Sequence, residues 1–290
     1  MNAQREKAYA KINLYLDVTS KRTDGFHDIA TVMHSVSLAD DITVTVNSLG
    51  TRSVRLILDG NRRLPLDSKN LAVSAAELFL EKTGIDADIV IKLNKRIPVS
   101  AGLAGGSTDA AAVLRAMNKL FRRPLADRAL ISLAEALGSD VPYCLIGGTV
   151  LCEGRGERMT RLDDKLKLYT VVAVAREHVS TPLAYSRLDS IYSNFEEERV
   201  SSGLASMLTA IQSGRLPESG LFNIFEDAVF PICPGAMEIK KRMLELGAIY
   251  SLMSGSGPSV YGVFESPKSA LAAERELVSL GFSAFYAESV

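Results

Sequence analysis

The chain has 290 residues, enough for two domains of ordinary size. Hydrophobic residues make up 47% and charged residues 23%, the mix of a globular protein with ample core, so it requires neither disulfide nor metal staples. A formal net charge of −1, from 33 basic and 34 acidic residues, excludes a broadly basic surface for nucleic acid or an anionic membrane.

The polar opening at residues 1–7 lacks the charged-then-apolar layout of an export signal. No apolar stretch reaches the roughly 18 residues of a membrane span. The expectation is a cytoplasmic protein with no membrane partner. The three cysteines, Cys144, Cys152 and Cys233, show no CxxC spacing, which predicts buried thiols in a reducing compartment.

From Ala8 to Val18 apolar residues alternate with Tyr9, Lys11, Asn13, Tyr15 and Asp17, the period of a half-buried strand. Lys11 and Asn13 therefore share its polar face. Asp24-Gly25 marks a turn, and residues 29–38, 42–46 and 54–58 read as strands. Residues 71–82 have helical spacing ended by Gly84, and 89–93 is another strand. A glycine-rich loop follows, then a helix with the stripe Ala110, Val113, Leu114, Met117, Leu120 and Phe121. A second helix, 127–137, stops at Gly138. Residues 149–152 form a short strand before the turn Gly154-Arg155-Gly156.

Beyond about residue 160 the pattern restarts. Strand 168–175, helices 200–212 and 235–246, strands 249–253 and 260–264, helix 270–280 and strand 283–287 follow. Without its inserts this is βαββαβ, the split layout of a ferredoxin-like domain. One boundary falls at 157–166, giving domains 1–160 and 161–290. Pro182 reads as a loop device, His34 as structural or solvated, and the charged run at 196–199 as a solvated face.

The loop Pro98-Val99-Ser100-Ala101-Gly102-Leu103-Ala104-Gly105-Gly106-Ser107-Thr108-Asp109 is the strongest chemical signal. Glycine permits close backbone approach, and a helix start offers unpaired N–H groups and partial positive charge, a cradle for phosphate. The plainer alternative is a tight strand-to-helix connection with Ser107 as N-cap. The P-loop pattern GxxxxGK[ST] is absent, as is a dinucleotide GxGxxG after an early strand.

Three segments resemble the motifs of the GHMP kinases, a superfamily that includes galactokinase, homoserine kinase and mevalonate kinase. They are Ala8-Tyr9-Ala10-Lys11-Ile12-Asn13-Leu14, the loop running on through Ala110-Ala111, and Met253-Ser254-Gly255-Ser256-Gly257-Pro258-Ser259. Asp24-Gly25-Phe26-His27, Gly138-Ser139-Asp140-Val141-Pro142 and Gly154-Arg155-Gly156-Glu157 resemble the branch of that family acting on a cytidine-diphosphate-linked isoprenoid precursor. Tyr9 stands where the family often has proline, Phe26 where it has tyrosine, and Thr108 where serine is usual.

The resemblance implies an α+β, two-domain fold: an N-terminal ribosomal S5 domain 2-like part and a C-terminal ferredoxin-like part, with the active site in the cleft between them. It implies an ATP-dependent small-molecule kinase that also uses Mg²⁺, whose protein ligands are not named by any motif. Lys11 would neutralise charge on the transferring group, and Asp140 would orient the acceptor hydroxyl and accept its proton late. Residues 98–108 would hold the ATP phosphates, with Lys95 and Asn70 near adenosine. Phe26 and Tyr185 would sandwich the cytosine and His27 read its edge, helped by Asn13 and Thr181. Ser254, Gly255, Ser256 and Gly257 would close the site. Read without the family, Lys11 is a surface ion-pair residue, Asp140 a turn residue, Phe26 and Tyr185 core, and 254–257 a β-turn. The rivals are a mevalonate- or homoserine-type kinase and, from another class, a non-catalytic ligand- or RNA-binding module.

Overall fold

The computed structural model describes residues 2–60, 64–162, 165–195, 197–217 and 220–290. In chain order its elements are β1 (Asn2–Lys21), β2 (His27–Leu49), β3 (Ser53–Asp59), α1 (Leu71–Thr83), β4 (Ala87–Asn94), α2 (Gly105–Leu120), α3 (Asp127–Leu137), α4 (Val141–Ile146), β5 (Thr149–Gly154) and β6 (Arg158–Arg161). Then come β7 (Tyr169–Val174), α5 (Thr181–Ile191), α6 (Glu197–Gln212), β8 (Phe222–Asn223), α7 (Phe225–Val229), α8 (Pro234–Glu245), β9 (Tyr250–Met253), β10 (Ser259–Phe264), α9 (Pro267–Ser279) and β11 (Ser283–Glu288). The mixture of helix and strand is the α+β class expected.

Contacts divide the chain into two compact units. Unit 1 comprises the residues up to Ala10, Ala39–Val99 and Ala104–Gly147; unit 2 comprises Lys11–Leu38, Ser100–Leu103 and Gly148–Val290. The division passes through β1 after Ala10 and through β2 after Leu38, and the cut expected at 157–166 falls inside unit 2.

In unit 1, β3 pairs parallel with β4, and β4 pairs antiparallel with residues 41–49 of β2. Alternate residues Ile89, Ile91 and Leu93 of β4 are fully buried, as are Phe79 and Leu80 of α1. α1 begins where Asn70 accepts a hydrogen bond from the backbone N of Ala72, and it ends at Gly84 in the left-handed region (φ 67°). α2 packs on α1 and buries nearly its whole circumference, because Ala110, Ala111, Ala112 and Ala116 let neighbours approach from several sides. The single stripe expected for this helix is therefore too narrow.

Unit 2 contains a four-stranded sheet in the order β11-β7-β10-β9, its pairs antiparallel. With α8 and α9 this is the βαββαβ arrangement expected. Ala236, Ile239 and Met243 of α8 and Ala270, Ala273 and Leu277 of α9 join Val171, Ala173, Val260 and Phe264 of the sheet in one core. Each fully buried aliphatic side chain there contributes about 1.5–3 kcal/mol. Residues 29–34 of β2 pair with β5, and β5 with β6.

Several expectations need correction. The two strands 29–38 and 42–46 are one continuous β2. Asp40, in the gap between the two expected strands, is a buried carboxylate inside β2. β1 is not half-buried: Lys11, Asn13, Tyr15 and Asp17 are buried along with the aliphatic face. Pro182 lies at the start of α5, where its missing N–H costs nothing. Ser107 lies within the first turn of α2 and is not its cap, which falls at Ala104. The side chains at 196–199 lie outside the described residues.

His34 is structural as expected: it is buried and bonded to Thr149 Oγ1 at 2.6 Å and Ser289 Oγ at 2.8 Å. All three cysteines are free and buried. No helix among the described residues is long and apolar enough to cross a membrane.

Candidate active site

In unit 2 the side chain of Asn13 ties together parts of two sequence motifs. Its Oδ1 accepts from Lys11 Nζ at 2.7 Å and from the backbone N of Gly255 at 2.8 Å, with Ser254 Oγ 3.4 Å away. Its Nδ2 donates to Thr31 Oγ1 at 2.8 Å, and that hydroxyl donates to the Tyr15 carbonyl at 2.6 Å. The amide is thereby fixed in orientation. Lys11 itself is 4% exposed, an ammonium carried by β1 into the protein interior. The solvated surface ion pair is not its role.

The segment Ser100–Leu103 is stitched to the same region. Ser254 Oγ donates to the Gly102 carbonyl at 3.0 Å, Ser259 Oγ to the Ala101 carbonyl, and Lys11 N to the Leu103 carbonyl at 3.3 Å. A Cβ on Gly102 would run into the Ser254 carbonyl and lie 3.2 Å from the Gly257 oxygen, so only glycine fits there. Asn223 holds the 254–257 loop from behind, donating to the carbonyls of Met253 at 2.7 Å and Gly255 at 2.8 Å. Neither Thr31 nor Asn223 had a sequence signal, because their partners lie far away along the chain.

Along the loop, alternate residues Ser100 (φ 53°), Gly102 (φ 76°) and Ala104 (φ 56°) have left-handed backbones. Left-handed residues of this kind occur in the backbone nests that bind anions. α2 starts at Gly105, and its first helical bond runs from Thr108 N to the Ala104 carbonyl at 2.9 Å. The N–H groups of Gly105, Gly106 and Ser107 are therefore those a helix start leaves without intrahelical partners.

In unit 1 a buried ionic cluster lies against the start of α2. Lys95 Nζ bonds to Asp40 Oδ2 and, at 2.7 Å, to Asp109 Oδ2. Asp40 Oδ1 accepts from the backbone N of Arg96 and, at 2.8 Å, of Ile97. The ammonium expected beside adenosine is thus engaged by two carboxylates, immediately against Gly105, where a Cβ would sit 3.0 Å from Nζ. Asn70 spends its Oδ1 capping α1 and donates from Nδ2 to the Pro65 carbonyl.

Burial pushes the Asp109 carboxyl up to about 8. Lys95 opposes that shift and Asp40 adds to it. Asp109 Oδ1 has no hydrogen-bond partner among the described residues, consistent with two carboxylates sharing one ammonium. The folded state then holds a proton that the unfolded chain, with a carboxyl near 3.8, releases. Stability carried by that proton is full below about 4 and is lost as pH rises toward about 8. Asp109→Asn, which cannot ionise, is expected to lose less stability than the parent across that window. Urea midpoints of both proteins at each end of the window check this; a constant difference would remove the proton assigned to Asp109.

The aromatic residues also lie in unit 2. Asp24 accepts from Phe26 N at 3.1 Å, confirming the turn and presenting Phe26, which is 52% exposed. The Arg155 guanidinium stands 3.7 Å from the Phe26 ring centroid, and the His27 ring stacks on Tyr185 with centroids 4.7 Å apart. Each ring expected to hold the base thus already faces a protein group. Thr181 Oγ1 and Ser256 Oγ are 2.9 Å apart, joining the start of α5 to the 254–257 loop. Asp140 directly precedes α4 in unit 1. It takes no capping bond through its side chain, while its carbonyl accepts from Cys144 N at 3.1 Å.

Among the described residues no group of three or more His, Cys, Asp or Glu is arranged to hold a metal ion.

Comparison with known proteins adds independent findings. The family pattern "GHMP kinases N terminal domain" matches residues 70–148 and "GHMP kinases C terminal" matches 204–282. A 4-diphosphocytidyl-2-C-methyl-D-erythritol kinase of Caldicellulosiruptor saccharolyticus is 41% identical over 273 residues, 93% of this chain and 91% of that one. The enzyme of the same name from Lachnospira eligens is 40% identical over 97% of this chain and 96% of its own. A crystal structure of 4-(cytidine 5'-diphospho)-2C-methyl-D-erythritol kinase aligns with TM-score 0.82 and 33% identity, covering 98% of both chains.

Proposed function

Because the chain belongs to the family of 4-diphosphocytidyl-2-C-methyl-D-erythritol kinases, within the GHMP kinases, we propose that it transfers the γ-phosphoryl group of ATP to the 2-hydroxyl of that cytidine diphosphate-linked alcohol. The observation that carries the reading is the Asn13 amide, which joins Lys11, Gly255 and, through Ser254, Gly102. A lysine, the glycine-rich segment and the second glycine loop are what phosphoryl transfer asks for, since it depends on positioning and charge neutralisation.

In this reading the peptide N–H groups from Gly102 to Thr108 receive the phosphates, with residues 98–101 shaping the loop. Lys11 offsets charge on the transferring group. Asp140 orients the acceptor hydroxyl and takes its proton late. Asn70 lies by adenosine, while Lys95 supports the loop from beneath. Phe26, His27 and Tyr185 meet the cytosine, and Thr181 with residues 254–257 meets the rest of the substrate. Mg²⁺ arrives with ATP as part of the substrate. Phosphate oxygens and water would hold most of its coordination positions, so few protein ligands would be needed. Domains 1–160 and 161–290 remain our division of the work, and a cytoplasmic location belongs to the same proposal.

The test is ADP release in the presence of Mg²⁺ with a panel of alcohols: the diphosphocytidyl-methylerythritol substrate, mevalonate and homoserine. Turnover of the first alone is expected; equal turnover of mevalonate would transfer the chain to the rival kinase class. Stacking on a base contributes about 1–3 kcal/mol, so Phe26→Ala is expected to raise KM for the cytidine substrate about 5- to 150-fold with kcat little changed. An unchanged KM would remove Phe26 from the base site.

A further inference from the structure

Asp189, on α5, belongs to none of the sequence motifs, yet it touches one of the residues assigned to the base. Its Oδ1 lies 2.7 Å from His27 Nε2 and its Oδ2 lies 2.6 Å from Lys21 Nζ. Each carboxylate oxygen thus has its own partner, and Lys21 fixes how the group is turned. Asp189 stands four residues after Tyr185 on the same helix, so the two share a face. The His27 ring lies between them: it stacks on Tyr185 at an interplanar angle of 25° and meets the edge of Phe195 at 5.9 Å. With 8% of its surface exposed, His27 has little room to turn. Partial burial works against ionisation of Asp189, but the bonds from Lys21 and His27 outweigh it and hold its carboxyl below the usual range.

A carboxylate accepts hydrogen bonds and donates none, so His27 Nε2 must carry the proton. In the neutral imidazole the other nitrogen, Nδ1, is then an acceptor, and it makes no hydrogen bond with a described residue. Cytosine presents an amino donor at C4, where uracil presents a carbonyl oxygen. We propose that Asp189, steadied by Lys21, is a positioning residue that holds His27 with Nδ1 as acceptor and thereby selects cytosine over uracil. The inference rests on the reading above that His27 meets the base edge.

The test combines two measurements on the full chain. Nitrogen-15 NMR of the imidazoles in mildly alkaline buffer, assigned with His34→Gln and His178→Gln, is expected to show His27 neutral and protonated at Nε2. Protonation at Nδ1 there, alone or in an imidazolium, overturns the proposal. Kinetics then use Asp189→Asn, whose amide is able to donate to Nε2 and release the ring into its other tautomer. Loss of one such hydrogen bond is expected to raise KM for the cytidine substrate about 10- to 100-fold, and to narrow the preference over the uridine analogue, with kcat and KM for ATP unchanged. Asp189→Glu is expected to restore part of the preference. An unchanged cytidine-to-uridine ratio in a folded Asp189→Asn variant overturns the proposal. Should that variant fail to fold, the tautomer in the parent protein decides. Failure of the parent to phosphorylate any cytidine substrate would sink the functional reading, while the NMR result would still score the role of Asp189.

Discussion

Asp140→Asn is expected to lower kcat by about 10²- to 10⁴-fold, the range that a positioned carboxylate contributes to proton transfer. The substitution keeps shape and volume and removes only charge and basicity. Asp140 takes no capping bond from the helix it precedes, so α4 does not depend on that carboxylate. Stability should therefore stay within about 0.5 kcal/mol of the parent. Nucleotide affinity should likewise hold, since the peptide groups proposed to receive the phosphates belong to another segment. Steady-state kinetics, a thermal melt and ATP titration read the three quantities separately. A fully active variant would strip Asp140 of its role, and a variant that lost rate and stability together would make that role structural.

The second large effect is expected at Gly102. Its φ of 76° is one that other residues adopt only under strain, and an added Cβ would strike the backbone of Ser254 and approach Gly257. Backbone atoms held by Asn13 and Asn223 cannot step aside. Gly102→Ala is expected to cost about 3 kcal/mol or more through overpacking and backbone strain, and to abolish activity. Gly106 provides the control. It lies inside α2, and an added Cβ would meet only Leu71 Cδ1 at 3.7 Å, an ordinary contact. Gly106→Ala should hold or raise stability, because alanine is the better helix former. Denaturant melts of the pair make the comparison; equal stabilities would remove the steric argument.

Much of this was legible in the sequence because the signals were local. Alternation exposed β1, apolar spacing and the glycine after it marked α1, and the order of elements after residue 168 gave the ferredoxin-like sheet. What stayed hidden depends on distance along the chain. Asn13 was placed on the face of Lys11 by strand period alone. That its amide oxygen gathers donors more than 240 residues away follows from no local pattern. The adjacent Asp40 and Asp41 fell between two expected strands, since acidic residues in a β-run usually face water; Asp40 is tolerated here because Lys95 and two peptide N–H groups satisfy it. α5 was missed because Pro182 was read as a breaker, though at a first helical turn proline does no harm. Lys95 was placed near adenosine by the family resemblance alone, and the two carboxylates that claim it lie 55 residues before and 14 residues after it.

Ser100 and Ala104 hold their left-handed backbones without being glycine. Each such residue lies roughly 1–2 kcal/mol above its relaxed conformation, a tension that the neighbouring bonds must sustain. A glycine-only segment would wander among many shapes in the free protein and surrender them on binding. Here two side chains narrow that freedom beforehand, so in the proposed reading the arrival of phosphate would draw little on chain entropy.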